Sequence, residues 1–134
     1  MSTKLEERLE KIMCILENLA AEASRGIPIV VEGVKDLKTL NKLKVKGDII
    51  LAKSSGKSVL EVLKEIENRE KSEVILLLDF DRRGREWMNL LAKNLEREGI
   101  KPNTTYWRKL RNMTGKELKD IEGLFSFLET FKRK

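Results

Sequence analysis

Histidine is absent from the sequence, and cysteine occurs once, at Cys14. Without histidine the chain cannot build a Ser-His-Asp or Cys-His nucleophilic centre, a histidine general base or a histidine-ligated zinc site. A single cysteine excludes an internal disulfide and a cysteine-ligated zinc or iron–sulfur centre. The chemistry that remains open uses carboxylates, lysines, arginines or hydroxyls, with or without a hard metal ion.

Long apolar runs and glutamine are missing as well. No stretch approaches the roughly 18 consecutive apolar residues of a membrane span, and the acidic, periodic N-terminus is unlike a signal peptide. We therefore expect a soluble, cytoplasmic protein that does not enter a membrane. The lack of glutamine beside abundant Lys and Glu is typical of thermophiles, in which ion-pair networks gain value.

Positive charge is in excess, and the excess is concentrated near the C-terminus. The formal net charge is +6, and residues 101–134 carry nine Lys or Arg against four Asp or Glu. A basic region favours a polyanionic partner such as nucleic acid. A solubilising tail is the alternative interpretation of the same charges.

A length of 134 residues is typical of one domain. Residues 1–26 are predicted to form an amphipathic helix, because Thr3 and Glu6 make a capping box and leucine and isoleucine then recur at helical spacing. We expect this helix to pack on its own domain, residues 27–134, although pairing with a second chain is also compatible with the pattern.

Apolar runs of strand length alternate with helical patterns after the first helix. Near-continuous apolar strands alternating with helices indicate a parallel sheet that is covered on both faces. The predicted fold is therefore α/β, with about four mainly parallel strands flanked by helices and a basic C-terminal helix. The predicted strands are 27–31, 48–52, 74–78 and a fourth around 104–107. Four helices are predicted after the first. One begins at Asp36, two cover residues 57–70 and 83–98, and the last begins at Thr114, where Glu117 completes a second capping box.

Carboxylates follow two of these strands directly. Glu32 comes after the first predicted strand, and Asp79 and Asp81 come after the third. Ligands bind beyond the carboxyl ends of the strands in open α/β sheets, so the three side chains would converge if the two strands are neighbours. An all-oxygen cluster without His or Cys suits Mg²⁺ or Mn²⁺ rather than zinc.

These two motifs, Glu32-Gly33-Val34-Lys35-Asp36 and Asp79-Phe80-Asp81-Arg82-Arg83-Gly84, resemble those of the Toprim domain over residues 27–110. That domain is shared by type IA and type II topoisomerases, bacterial-type primases, old-family nucleases and ribosomal-RNA maturase ribonucleases. The size and the Arg-rich second motif look most like small stand-alone Toprim proteins and the maturase ribonucleases. The resemblance implies a Rossmann-like Toprim fold.

The resemblance also implies roles for individual residues. Glu32 matches the glutamate that acts as general acid or base at a phosphodiester, and Asp79 and Asp81 match the Mg²⁺-coordinating pair, so all three are predicted as catalytic residues and metal ligands. Gly33 and Gly84 match glycines that let the backbone pass close to the site. Asp36 matches a further acidic position that is more often structural.

The chain departs from the family in two respects. Phe80 stands where the second motif frequently has proline, which removes no ligand. A topoisomerase needs a nucleophilic tyrosine, and the single tyrosine, Tyr106, is predicted to pack in a strand. A complete topoisomerase or primase is therefore not expected.

Basic side chains near these motifs are predicted to contact phosphates. Trp107 lies among the C-terminal ones, where an aromatic ring can stack on an unpaired base or be buried under the sheet edge. The predicted partner is RNA or DNA, within a possible larger processing complex, and the chain is a monomer or a dimer. The predicted nucleic-acid-binding residues are Lys53, Arg82, Arg83, Arg85, Arg108 and Arg111.

Three functions are compatible with these patterns. The first is a Mg²⁺-dependent Toprim nuclease or phosphodiester-transfer domain. The second is a non-catalytic nucleic-acid-binding Toprim module that serves a larger processing complex. The third is a phosphatase of the haloacid-dehalogenase type, which is disfavoured because its Asp-x-Asp motif normally opens the fold and continues with Thr or Val where this chain has Arg83.

Overall fold

The computed structural model describes residues 4–53, 56–114 and 118–132. Strands and helices alternate along this part of the chain. The strands are β1 (Ile29–Val31), β2 (Ile49–Leu51), β3 (Glu73–Leu76) and β4 (Lys101–Asn103). The helices are α1 (Lys4–Ser24), α2 (Val34–Lys42), α3 (Val59–Asn68), α4 (Arg82–Arg97), α5 (Thr105–Thr114) and α6 (Ile121–Lys132).

The strands form one parallel sheet in the order β2-β1-β3-β4. Val30 in the middle of β1 lies opposite Ile50 of β2 and Leu76 of β3. All three side chains are buried, as expected for a parallel sheet covered by helices on both faces. The predicted α/β class with a mainly parallel sheet is confirmed.

Helices pack in pairs around this sheet, α1 with α5, α2 with α6 and α3 with α4. The apolar stripe of α1 is part of the hydrophobic core, and Ile12 and Leu19 are fully buried in it. The first helix thus lies against the chain's own α5. None of the helices in the described ranges is long and apolar enough to cross a lipid bilayer.

The prediction of a strand around residues 104–107 is wrong. The fourth strand is Lys101–Asn103, and α5 begins at Thr105. The side chain of Asn103 accepts a hydrogen bond from the Thr105 backbone N–H at 3.0 Å, which turns the chain from strand to helix. The aromatic residues Tyr106 and Trp107 favour a strand by composition, but they are buried on α5 with Leu110 at helical spacing.

The last helix begins later than predicted, and it is not the basic helix that was expected, because it carries two glutamates and one lysine while the basic residues lie on α5. Thr114 is the final residue of α5, and its hydroxyl donates to the Leu110 carbonyl at 2.8 Å instead of capping a new helix. Helix α6 begins at Ile121, after Asp120, whose carboxylate accepts from the Gly123 N–H at 2.7 Å. Glu117 and Thr3, the other members of the two predicted capping boxes, lie outside the described residues.

Candidate metal and nucleic-acid site

The carboxyl ends of β1 and β3 form the switch point of the sheet. Strand β2 pairs with β1 on one side, and β3, the next strand along the chain, pairs with β1 on the other side. In open α/β sheets such a switch point opens a crevice beyond the strand ends, where ligands bind. Glu32 follows β1 directly, and Asp79 lies three residues beyond the end of β3, so the topology places both at this crevice.

Glu32 is held in place by its two neighbours in the sheet. One of its carboxylate oxygens accepts from the Asp79 backbone N–H at 3.4 Å. The other lies 3.0 Å from the ammonium nitrogen of Lys53, which follows β2. Glu32 is only 8% exposed, so this half-buried ion pair fixes the position of the carboxylate at the floor of the crevice.

The crevice is a pocket of about 420 Å³ that we call the acidic pocket. Acidic side chains dominate its lining, and two lysines accompany them. The lining residues are Glu32, Gly33, Val34, Lys35, Asp36, Lys53, Asp79, Asp120 and Glu122.

Burial and mutual repulsion raise the pKa of two carboxyl groups in the acidic pocket. The pKa of Asp79 is raised to about 7, chiefly by burial and then by the negative charges of Glu32, Asp36, Asp120 and Asp81. The pKa of Asp36 is raised to about 6, chiefly by burial, although the Gly33 N–H that it accepts at 3.2 Å acts in the opposite direction. A cation in the pocket would relieve this repulsion.

Asp81 lies outside the lining of the acidic pocket and caps α4. One carboxylate oxygen accepts from the Gly84 N–H at 2.8 Å. Gly84 packs directly on the Asp79 backbone, since a Cβ at position 84 would lie 2.7 Å from the Asp79 carbonyl carbon. The first turn of α4 therefore holds the Asp79 backbone close to the helix.

Gly33 differs from Gly84 in its surroundings. A Cβ at Gly33 would meet nothing within 4 Å, and its φ of −155° is extended backbone that any residue adopts. Gly33 lines the acidic pocket, and the lack of a side chain at this position leaves open space in the pocket. No neighbouring atom requires a glycine here.

The sequence interpretation missed two acidic residues of the pocket, Asp120 and Glu122. They reach the site because the Phe80 N–H donates to the Lys119 carbonyl at 2.6 Å, which fastens the start of α6 to the loop after β3. The signal was present in the sequence: Asp120 and Gly123 repeat the cap spacing of Asp81 and Gly84. A helix predicted to begin at Thr114 instead places Asp120 inside the helix and hides this cap.

The donor set fits a hard divalent cation by its chemistry, because it consists of carboxylate oxygens. Within the described ranges, however, no group of three Asp, Glu, Cys or His side chains is spaced to hold a metal ion. Glu32 and Asp79 are brought together, whereas Asp81 is directed to the α4 backbone. The structure therefore provides the ligand chemistry but not a closed coordination sphere.

The predicted basic residues divide into separate groups. Lys53 pairs with Glu32 in the acidic pocket. Arg82 is 91% exposed and pairs with Glu86, and Arg83 is exposed. Arg85, Arg108 and Arg111 line a second pocket, of about 340 Å³, between α4 and α5.

Trp107 also lines the second pocket, but it is only 4% exposed. Its indole N–H donates to the carbonyls of Leu78 and Asp79 at 2.9 and 3.2 Å. Of the two interpretations of this residue, the structure shows burial under the sheet edge. The neighbouring Tyr106 is buried too, and burial with a hydrogen bond to Glu22 raises its pKa to about 12.

Comparison with known proteins agrees with this geometry. The Toprim domain model matches residues 27–110. The chain is 38% identical to a UPF0292 protein of Methanocaldococcus jannaschii over 92% of this chain and 94% of that one. It is 40% identical to a UPF0292 protein of Pyrococcus horikoshii over 73% of this chain and 71% of that one.

A solved structure supports the same relationship. A putative protein from Aquifex aeolicus superposes with a TM-score of 0.66 at 28% identity, covering 81% of this chain and 93% of the other. The resemblance inferred from the two sequence motifs is thus confirmed. The chain belongs to the Toprim domain family of metal-dependent, nucleic-acid-associated domains and is a relative of the archaeal UPF0292 proteins.

Proposed function

We propose that this protein is a metal-dependent phosphodiesterase that acts on nucleic acid in RNA or DNA processing. One observation carries the proposal: Glu32 and Asp79, from neighbouring strand ends, meet in one acidic pocket at the switch point of the sheet. The matched family adds metal dependence and an association with nucleic acid. The proposed metal is Mg²⁺, with Mn²⁺ as a substitute.

Asp79 and Asp81, with Glu32, are the residues we assign to the metal. Burial, and after it the negative charges of the neighbouring carboxylates, raise the pKa of Asp79, and a cation bound there would offset both effects. Asp81 uses Oδ1 to cap α4 and keeps Oδ2 for a further interaction. When bound, a divalent cation supplies positive charge to phosphate oxygens and lowers the pKa of water.

Glu32 is the proposed general acid or base. It transfers a proton to or from the attacking or leaving oxygen of the phosphodiester, a role worth about 10²–10⁴-fold in rate. The Asp79 N–H and the Lys53 ammonium each hold one of its oxygens. Such orientation matters because a misplaced carboxylate loses much of its catalytic effect.

Arginines beyond the acidic pocket are proposed to bind phosphate groups of the substrate. Arg82 and Arg83 open α4 directly after Asp81, and both are exposed. Arg85, Arg108 and Arg111 follow in the second pocket. Guanidinium groups form paired hydrogen bonds with phosphate oxygens, so these side chains would hold a strand beside the acidic pocket.

A second candidate function is a non-catalytic module that binds nucleic acid within a larger processing complex. The observation that favours it is the ion pair between Lys53 and Glu32. If the ammonium permanently neutralises the predicted general base, the pocket binds without cutting.

A cleavage assay tests the proposal. End-labelled structured RNA, single-stranded DNA and double-stranded DNA are incubated with the protein in Mg²⁺, in Mn²⁺ and in chelator. We expect metal-dependent cuts that Glu32→Gln abolishes while nucleic-acid binding persists. Glu96→Gln, which removes an exposed carboxylate from α4, is the matched control and should cut as the wild type does.

The outcomes separate the two candidates. Full cleavage by Glu32→Gln would overturn the role of Glu32. Binding of nucleic acid with no new ends in either metal would overturn the phosphodiesterase and support the binding module.

A further inference from the structure

Three arginines converge in the pocket between α4 and α5, which we call the arginine pocket. Arg85 comes from α4, and Arg108 and Arg111 come from successive turns of α5. The pocket has a volume of about 340 Å³ and no acidic side chain in its lining. Its remaining lining residues are Met88, Asn89, Trp107 and Asn112.

These three guanidinium groups have no carboxylate partner among the described residues. Three of the six other described arginines, Arg25, Arg69 and Arg82, form ion pairs, with Glu22, Asp48 and Glu86 respectively. Cations that share one cavity repel each other unless an anion lies between them. The arginine pocket therefore has the charge of an anion-binding site without an internal anion.

Trp107 orients two of the three arginines. The guanidinium carbon of Arg85 lies 5.9 Å from the centre of the indole ring, and that of Arg111 lies 6.0 Å from it. The ring itself is fixed, because its N–H donates to the backbone carbonyls of Leu78 and Asp79. A guanidinium held over a fixed ring keeps N–H groups for a ligand and loses less entropy on binding.

The chemistry of the ligand follows from the charge. A phosphomonoester carries about −1.5 to −2 charges at pH 7, whereas an internal phosphodiester carries one. Three arginines offer forked donors to several oxygens at once, and the asparagine amides add further donors. This set complements a terminal phosphate better than it complements a phosphate within a continuous backbone.

We infer that the arginine pocket binds the terminal phosphomonoester of a nucleic-acid strand. Because Trp107 is bonded to the Asp79 carbonyl, a strand end held there lies beside the loop that carries the proposed metal ligand. The inference rests on the proposed function, which supplies nucleic acid as the substrate, and it names strand ends as the class that the protein selects.

Binding in chelator, where nothing is cut, tests the inference directly. Labelled RNA and DNA oligonucleotides of one sequence are compared with a 5′-phosphate, with a 3′-phosphate, and with hydroxyls at both ends. We expect one phosphorylated form to bind about tenfold more tightly, the equivalent of about 1.4 kcal/mol. Arg108→Gln and Arg111→Gln should each reduce this preference.

Arg97→Gln is the matched control, because it removes the same charge from the exposed far end of α4. It should keep the preference for a phosphorylated end. Equal affinity for phosphorylated and unphosphorylated ends would overturn the inference, as would a preference that both pocket variants retain. If the end preference is absent but metal-dependent cleavage is observed, the proposed function stands and only the inference fails. If the end preference is observed without metal-dependent cleavage, only the phosphodiesterase proposal fails.

Discussion

Asp79 is the residue on which the electrostatics of the site depend. Its carboxyl is partly removed from water and faces Glu32, Asp36 and Asp120. The native state therefore keeps its proton at a pH at which the unfolded chain has lost it. Linkage between protonation and folding turns this difference into a dependence of stability on pH.

In chelator, the contribution of Asp79 to the free energy of unfolding should fall as pH rises from 3.8 to about 7. The direction follows because the pKa is higher in the folded state. The contribution is fully present below the pKa of the unfolded chain and is lost as the pH rises through the pKa of the folded protein. Asp79→Asn lacks this titration. We expect the variant to gain stability relative to the wild type across that window in thermal melts.

The matched control is Glu96→Gln, which changes an exposed carboxylate of α4. Its melting temperature should keep a constant difference from that of the wild type. A constant difference for Asp79→Asn as well would show that no such coupling exists at Asp79.

At the scale of elements, strands β1, β2 and β3 were predictable and the edge strand β4 was not. Strand β1 and, after Glu73, strand β3 are runs of apolar residues because both of their faces are covered. Strand β4 consists of Lys101, Pro102 and Asn103, at the edge of the sheet and without an apolar run. Proline is tolerated in an edge strand, so neither hydrophobicity nor composition marks this element.

The candidate site shows the same division. Glu32 and Asp79 were predictable because each follows an apolar strand and parallel strands end at one edge. The cap spacing of Asp120 is visible in the sequence, but its place in the acidic pocket is not, because that place depends on the contact between Phe80 and Lys119, which joins segments far apart in the sequence. The arginine pocket likewise depends on the packing of α5, whose first residues were predicted to be a strand.

Gly84 supports a prediction about how α4 and the β3 loop fit together. In a helix, alanine is favoured over glycine by about 1 kcal/mol, so Gly84→Ala would stabilise an open helix. Here the added Cβ overlaps the backbone of Asp79, which cannot move aside as a flexible side chain can. We expect the overlap to prevail and Gly84→Ala to lower the free energy of unfolding by about 1–3 kcal/mol.

Gly33→Ala is the contrasting variant at the start of α2. Its Cβ has open space, so the change in unfolding free energy should stay within about 0.5 kcal/mol. Denaturant titration measures both variants. Equal costs at positions 33 and 84 would contradict the account of Gly84.

The whole molecule combines an acidic pocket at the sheet switch point with a net charge of +6. The net positive charge attracts a polyanion, and the clustered carboxylates of the acidic pocket can bind a cation beside it. Binding of nucleic acid should therefore weaken with salt through counter-ion release.

Arg83 provides the test of this charge distribution, since it is exposed beside Asp81. Arg83→Gln should weaken nucleic-acid binding and reduce the slope of log affinity against log salt by about one. Lys46→Gln removes an exposed charge before β2, at the amino end of the strands, whereas Arg83 follows the carboxyl end of β3. This variant should leave the slope unchanged. An unchanged slope for Arg83→Gln would remove this residue from the interface.

We propose that carboxylates at the ends of β1 and β3 form one divalent-cation site. The most direct measurement is a titration of Mn²⁺ with protein, in which the paramagnetic resonance signal reports free Mn²⁺. Asp79→Asn/Asp81→Asn is the decisive variant, because asparagine caps a helix as well as aspartate does and α4 should remain intact. We predict saturable binding by the wild type and by Glu96→Gln, and affinity at least about tenfold weaker in the double variant. Equal affinity in all three proteins would contradict the claim.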